Sequence, residues 1–140
     1  MNGNSVRFDL DEEPAIGTFQ LTVVSARGLK IREELFGFDV PDVYFDVRLG
    51  GETFTTTVKH NNVTPEWNES YDLKLLQHDQ VIQIEGRDSN ERGENSDVTI
   101  GKAHTTADKI LLAGGRIELE LLNNEGVGSG VFVTLHGHMV

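Results

Sequence analysis

The sequence predicts an all-β domain: eight short strands forming an antiparallel sandwich, with one short helix before the seventh strand. Three observations point there. Apolar residues recur with period two in several segments, Gly and other turn signals separate most of them, and only Ala107–Leu112 hints at a helix.

The strands follow in order. In GTFQLTVVSARGL, Phe19, Leu21 and Val23 share one face, with Gln20 and Thr22 between them and Gly28 closing the segment. Residues 42–49 (DVYFDVRL) alternate similarly and stop at Gly50-Gly51, a hairpin-type turn. Residues 53–58 (TFTTTV) are rich in β-branched residues and read as the partner strand. Tyr71, Leu73 and Leu75 alternate with Asp72 and Lys74, and Val81-Ile82-Gln83-Ile84 is a short apolar run. Val98-Thr99-Ile100, residues 116–121 (RIELEL) and residues 131–135 (VFVTL) complete the eight. The helix before the seventh strand is closed by Gly114-Gly115.

Length fits one domain: 140 residues against roughly 100–200 per domain. Residues 1–16 read as a flexible acidic lead-in and 17–140 as the folded unit. The start lacks the apolar stretch of a secretory signal, and no apolar run is long enough to span a bilayer. No cysteine is present, which removes disulfides, thiolate nucleophiles and Cys-based zinc sites and fits a reducing, cytoplasmic setting.

Twelve Lys and Arg against 23 Asp and Glu give a formal charge of −11. That sign repels phosphate backbones and argues against nucleic acid as a partner. It also repels anionic lipid unless cations intervene. Catalysis has no visible constellation: the five His form no HExxH pair, no Ser stands in a G-x-S-x-G elbow, and Gly126-Val127-Gly128-Ser129-Gly130 precedes a strand, not a helix. The chain therefore reads as a non-enzyme. His136 and His138, two apart on the last strand, either chelate a metal or form an exposed strand face.

Three connections exceed hairpin length: 30–41, 60–67 and 87–97. The first carries Glu33, Glu34 and Asp39, with Asp42 just beyond; the third carries Asp88, Asn90, Glu91, Glu94, Asn95 and Asp97. Calcium takes six to eight oxygens in flexible geometry, so carboxylates converging from two loops suit it. Otherwise these acids face water. The first loop also holds Leu35, Phe36 and Phe38 in a polar stretch. They either dip into a bilayer interface or tuck against the sandwich edge.

Taken together, these segments resemble the C2 domain, a calcium- and phospholipid-binding β-sandwich. GTFQLTVVSARGLK resembles the family's opening strand. Val40-Pro41-Asp42-Val43-Tyr44 resembles its Ser-Asp-Pro-Tyr-Val segment, with the Pro before the Asp here. Thr55-Thr56-Thr57-Val58-Lys59 resembles its Thr/Lys strand. Residues 62–71 (NVTPEWNESY), containing Pro65, Trp67 and Asn68, resemble its Asn-Pro-x-Trp-Asn-Glu corner, and Ile100-Gly101 resembles the pair after its third loop. The corner also has a physical reading: Pro65 bends the chain, Trp67 plugs the sandwich edge and Asn68 satisfies loop backbone.

A strong final strand and little before the first match the family's type II permutation. In outline the chain resembles the C2 domains of novel protein kinase C isoforms and HECT-type ubiquitin ligases. The resemblance implies a metal site of Asp42 and Asp39 (or Glu34) from the first loop, and Asp88, Asn90 and Asp97 from the third. A two-residue shift would instead pair Gly86 with Asp88. It implies Leu35, Phe36 and Phe38 as membrane-inserting residues and Lys59 with Arg48 as a sparse lipid-headgroup groove. The expected function is peripheral membrane targeting through phospholipid, with calcium weakly held. The alternative is a calcium-independent module that binds a partner protein or neighbouring domain.

Overall fold

A computed structural model describes residues 15–34, 37–89 and 97–140. The expected flexible lead-in thus lies outside the described residues, apart from its last two. Ten strands and one helix follow in order: β1 (Gly17–Arg27), β2 (Arg32–Glu34), β3 (Gly37–Asp39), β4 (Val43–Leu49), β5 (Glu52–Thr55), β6 (Glu66–Leu75), β7 (Val81–Asp88), β8 (Val98–Thr106), α1 (Ala107–Leu112), β9 (Arg116–Leu122) and β10 (Gly128–Met139). Eight of them form one antiparallel sheet and match the eight expected strands. The small β2–β3 hairpin, formed inside the first long loop, was not expected.

The sheet runs β5-β4-β7-β8-β9-β10-β1-β6. β8 and β9 share one register pair among the described residues, Lys102 with Leu122. The sheet folds over at that seam, and its two ends meet. Phe54 of β5 and Tyr71 of β6 have ring centroids 5.3 Å apart. Phe45 of β4 and Trp67 of β6 meet edge to face at 5.2 Å. The result is a sandwich of layers β5-β4-β7-β8 and β9-β10-β1-β6. The last strand lies between β9 and β1, as the type II permutation implies.

The core comes from the alternating residues. Phe19, Leu21 and Val23 are fully buried with Val43, Phe45, Val47, Leu73, Ile82, Ile84, Leu121, Val133 and Leu135. In β1 the register slips between Val23 and Ser25 against both neighbours, a bulge that moves burial from odd positions to Ala26. Close layer approach depends on two glycines. A Cβ at Gly86 would lie 2.8 Å from Leu121 Cδ1, and one at Gly101 would lie 2.9 Å from the Leu122 carbonyl oxygen. Helix α1 is capped by Thr106, whose hydroxyl oxygen accepts from the Lys109 N–H, and it buries Ala107 and Ile110.

β5 ends at Thr55, earlier than residues 53–58 suggested. From there the chain peels away: Thr56 N–H donates to the Phe45 carbonyl, and Lys59 pairs back with Val43. That detour carries the next segment to the end of the sandwich where the long loops meet.

Candidate functional site: an acidic rim at one end of the sandwich

Register places the start of β4 beside the end of β7 and the start of β8. Val43 is opposite Asp88, and Asp88 is opposite Val98. The two loops therefore share one rim, and Asp42 and Asp88 meet there. The Asp42 N–H donates to Asp88 Oδ1 at 2.9 Å, and Ser89 N–H donates to the Asp42 carbonyl at 2.8 Å. Asp42 Oδ1 in turn accepts from Asn61 N–H at 2.7 Å, with His60 Nδ1 3.9 Å away. Asn61 manages this through a left-handed backbone (φ 52°), which Asn tolerates better than most residues. One aspartate thus ties β4, the end of β7 and the 59–62 detour together.

Asp97 sits on the same rim but is engaged elsewhere. Its carboxylate accepts from the Tyr44 hydroxyl at 2.5 Å, and Arg87 Nη2 donates to its carbonyl at 3.1 Å. Burial, then the Asp97 hydrogen bond, pushes the Tyr44 phenol up to about 12. Asp39 lines the same cleft as Asp88. Asn90 lies outside the described residues, as do Leu35 and Phe36. Phe38 belongs to β3, and its side chain is not described. Among the described residues no group of three or more His, Cys, Asp or Glu could hold a metal ion. Of the five expected ligands, Asp42 and Asp88 come together. Each presents Oδ1 to a backbone N–H, so both carboxylates are held in place at the rim from within the fold.

The expected headgroup pair does not form one patch. Lys59 is opposite Val43 at the rim, whereas Arg48 is five residues along β4, about 17 Å away at ~3.3 Å per residue. Arg48 stands 3.9 Å from Asp46 and 3.7 Å from Glu85, and both acids are nearly buried. Its charge is opposed where it stands.

Pro65 is buried and its carbonyl accepts from Ala26 N–H at 3.1 Å. Trp67 is 6% exposed, and its indole N–H donates to the Thr57 carbonyl at 2.7 Å. Loop backbone is satisfied by Asn62, whose Oδ1 accepts from Thr64 N–H. Asn68 instead supplies a left-handed residue (φ 50°) inside β6. Glu69 accepts from both the N–H and the hydroxyl of Thr57. Burial raises the pKa of its carboxyl, but the Thr57 and Tyr71 hydrogen bonds outweigh this, and the net shift is downward.

Sequence reasoning missed Tyr44, His60, Asn61 and Glu69. The one available signal was the Asn61-Asn62 dipeptide, a local backbone-turning pair.

Comparison with known proteins agrees with this architecture. The C2 domain family profile matches residues 17–122. A probable E3 ubiquitin-protein ligase hulA of Neosartorya fischeri is 36% identical over 73 residues, 51% of this chain and 8% of that protein. The Arabidopsis thaliana protein C2-DOMAIN ABA-RELATED 11 is 34% identical over 70 residues, half of this chain and 40% of that protein. This chain thus spans less than half the length of either relative. Among solved structures, a single C2 domain of plant Extended Synaptotagmin 1 aligns with TM-score 0.69 at 22% identity, covering 90% of this chain and 97% of that one. The calcium-bound pair of C2 domains of Extended-Synaptotagmin 2 aligns with TM-score 0.69 at 20% identity, over 89% of this chain and 46% of that one. With the family profile spanning most of the sandwich, the chain belongs to the C2 domain family.

Proposed function

We propose that this chain is a peripheral membrane-binding module whose acidic rim faces phospholipid and holds calcium weakly. The observation that carries the reading is the meeting of Asp42 and Asp88 across strands from two separate loops. Asp39, Asn90 and Asp97 are the further donors in this reading. Affinity tracks the number of charged ligands and their rigidity, so two convergent carboxylates imply a weak site. Bound calcium would supply positive charge to offset the rim and bridge to a lipid phosphate. The chain's own part is to position those carboxylates; Leu35, Phe36 and Phe38 are the inserting residues of this reading, and two described apolar residues, Ile31 and Val98, are exposed as well. The last two are 51% and 61% exposed. No helix among the described residues is long and apolar enough to cross a membrane.

A second reading is a calcium-independent module that binds a partner protein or an adjoining domain. It is favoured by the tie between Asp97 and Tyr44 and by the lack of a three-donor group among the described residues. One pair of measurements separates the two: a calorimetric calcium titration, and sedimentation with phosphatidylcholine or phosphatidylserine vesicles in calcium and in chelator. The first reading expects weak heat in calcium and calcium-enhanced sedimentation. No heat and no sedimentation on either vesicle would overturn it in favour of the second.

A further inference from the structure

The acidic rim adjoins a cleft of about 340 Å³, at the small end of the ~300–1,000 Å³ spanned by small-molecule sites. Its origin lies in the backbone. β1 leaves its sheet at Gly28 (φ 84°), where an added Cβ would stand 1.9 Å from the Gly130 carbonyl oxygen. Only a residue without a side chain fits at Gly28, so nothing bulky from that position fills the space beside it. The core ends there in a pocket whose walls include Leu29, Val98, Ile100 and Val131. Lys30 also lines it, together with Asp39 and Asp88 from the acidic rim.

We propose that this cleft receives one acyl chain of a zwitterionic phospholipid. The inference rests on the membrane-binding reading and names the lipid class that the rim would select. Hydrocarbon walls call for a hydrocarbon occupant, because covering apolar surface is favourable by roughly 25 cal/mol per Å². With no calcium on Asp39 and Asp88, the lining charges carry both signs, Lys30 against these two aspartates, which complements a headgroup with a phosphate and an ammonium. A free fatty acid would bring a lone carboxylate to two aspartates in a chain of net charge −11. The cleft also opens on the rim that the membrane reading turns toward lipid: Val98, one of its walls, is 61% exposed.

The test is a titration, in chelator, of isotope-labelled protein with short-chain phosphatidylcholine kept below its micelle concentration, followed by amide chemical shifts. Glycerophosphocholine serves as the headgroup without chains, and a short-chain carboxylate as the chain without headgroup. Saturable shifts at Leu29, Ile100 and Val131 with the phospholipid alone are expected. Ser129→Trp, which fills the cleft from its border, should weaken that binding at least tenfold. Val98→Asp, at an exposed position that leaves the buried core intact, should weaken it severalfold while the protein stays folded. Equal shifts with glycerophosphocholine, or shifts that never saturate and spread beyond the cleft, would overturn the proposal. Vesicle sedimentation run in parallel keeps the two ideas separate. Vesicles that bind while the cleft resonances stay still would remove the acyl site and leave the membrane reading standing. No binding to vesicles would remove both.

Discussion

Replacing Trp67 with Ala tests the corner that anchors β6 to the segment after β5. The indole is 6% exposed, meets Phe45 edge to face at 5.2 Å and donates to the Thr57 carbonyl at 2.7 Å. Large-to-small substitutions of buried Trp cost about 3–5 kcal/mol. The aromatic pair adds roughly 0.5–1.5 kcal/mol beyond area, and the lost hydrogen bond about 1. Trp67→Ala therefore belongs near the top of that range, about 4–5 kcal/mol. Trp67→Phe keeps a ring against Phe45 and loses the donor, so it should cost only about 1–2 kcal/mol. For a chain of this size each kcal/mol lowers Tm by roughly 3–5 °C, so the Ala variant should melt about 15 °C lower. Thermal unfolding followed by circular dichroism reads both variants, with denaturant melts to confirm a single transition. A fall under about 5 °C for Trp67→Ala, or equal falls for the two variants, would show that the corner does not hold the layers as described.

Three more expectations follow from the geometry. Asp88→Ala should abolish the calcium heat that the first reading expects and lower stability by about 1.5–3 kcal/mol, as for loss of a charged acceptor of the Asp42 N–H; unchanged calcium affinity would mean the third loop is out of register. Gly101→Ala should destabilise more than Gly86→Ala, both within about 1–3 kcal/mol, because the first meets the Leu122 backbone and the second mainly the end of the Leu121 side chain; denaturant melts in the reverse order would refute this. Tyr44 and Tyr71 are the chain's two tyrosines, and burial first, then their Asp97 and Glu69 neighbours, push both phenols from 10 up to about 12. Since the unfolded chain loses these protons first, their stabilisation is complete below pH 10 and is lost as pH rises from 10 through about 12. Phenolate absorbance that develops near pH 10 in the folded protein would contradict it.

Much of the fold was readable because burial writes itself into period two. Phe19, Leu21 and Val23 announce β1 without help from any other strand. The convergence of Asp42 and Asp88 was also legible, through the resemblance that puts the two loops at one end. What escaped depends on register between distant segments. Ala26 is buried only because of the bulge just before it in the strand, and no alternation rule foresees that. Asp97 reads in the sequence as a third-loop calcium donor; that its carboxylate accepts from Tyr44, 53 residues earlier, follows from β7 lying between β4 and β8. Arg48 looked like a headgroup contact until cross-strand pairing set Glu85 opposite its neighbour Asp46. The β2–β3 hairpin fell in a stretch with no alternation and no two-residue turn of the Asn-Gly kind to mark it.

The fold line between β8 and β9 has a consequence of its own. With one backbone pair joining these strands among the described residues, much of each facing border does not ladder with its neighbour across the line. Such borders invite foreign strands, and proteins discourage this with charge. Lys102, at the paired position on that line, is exposed and sets a charge there. Replacing it with an apolar residue should turn the crease into a place where two molecules stitch together.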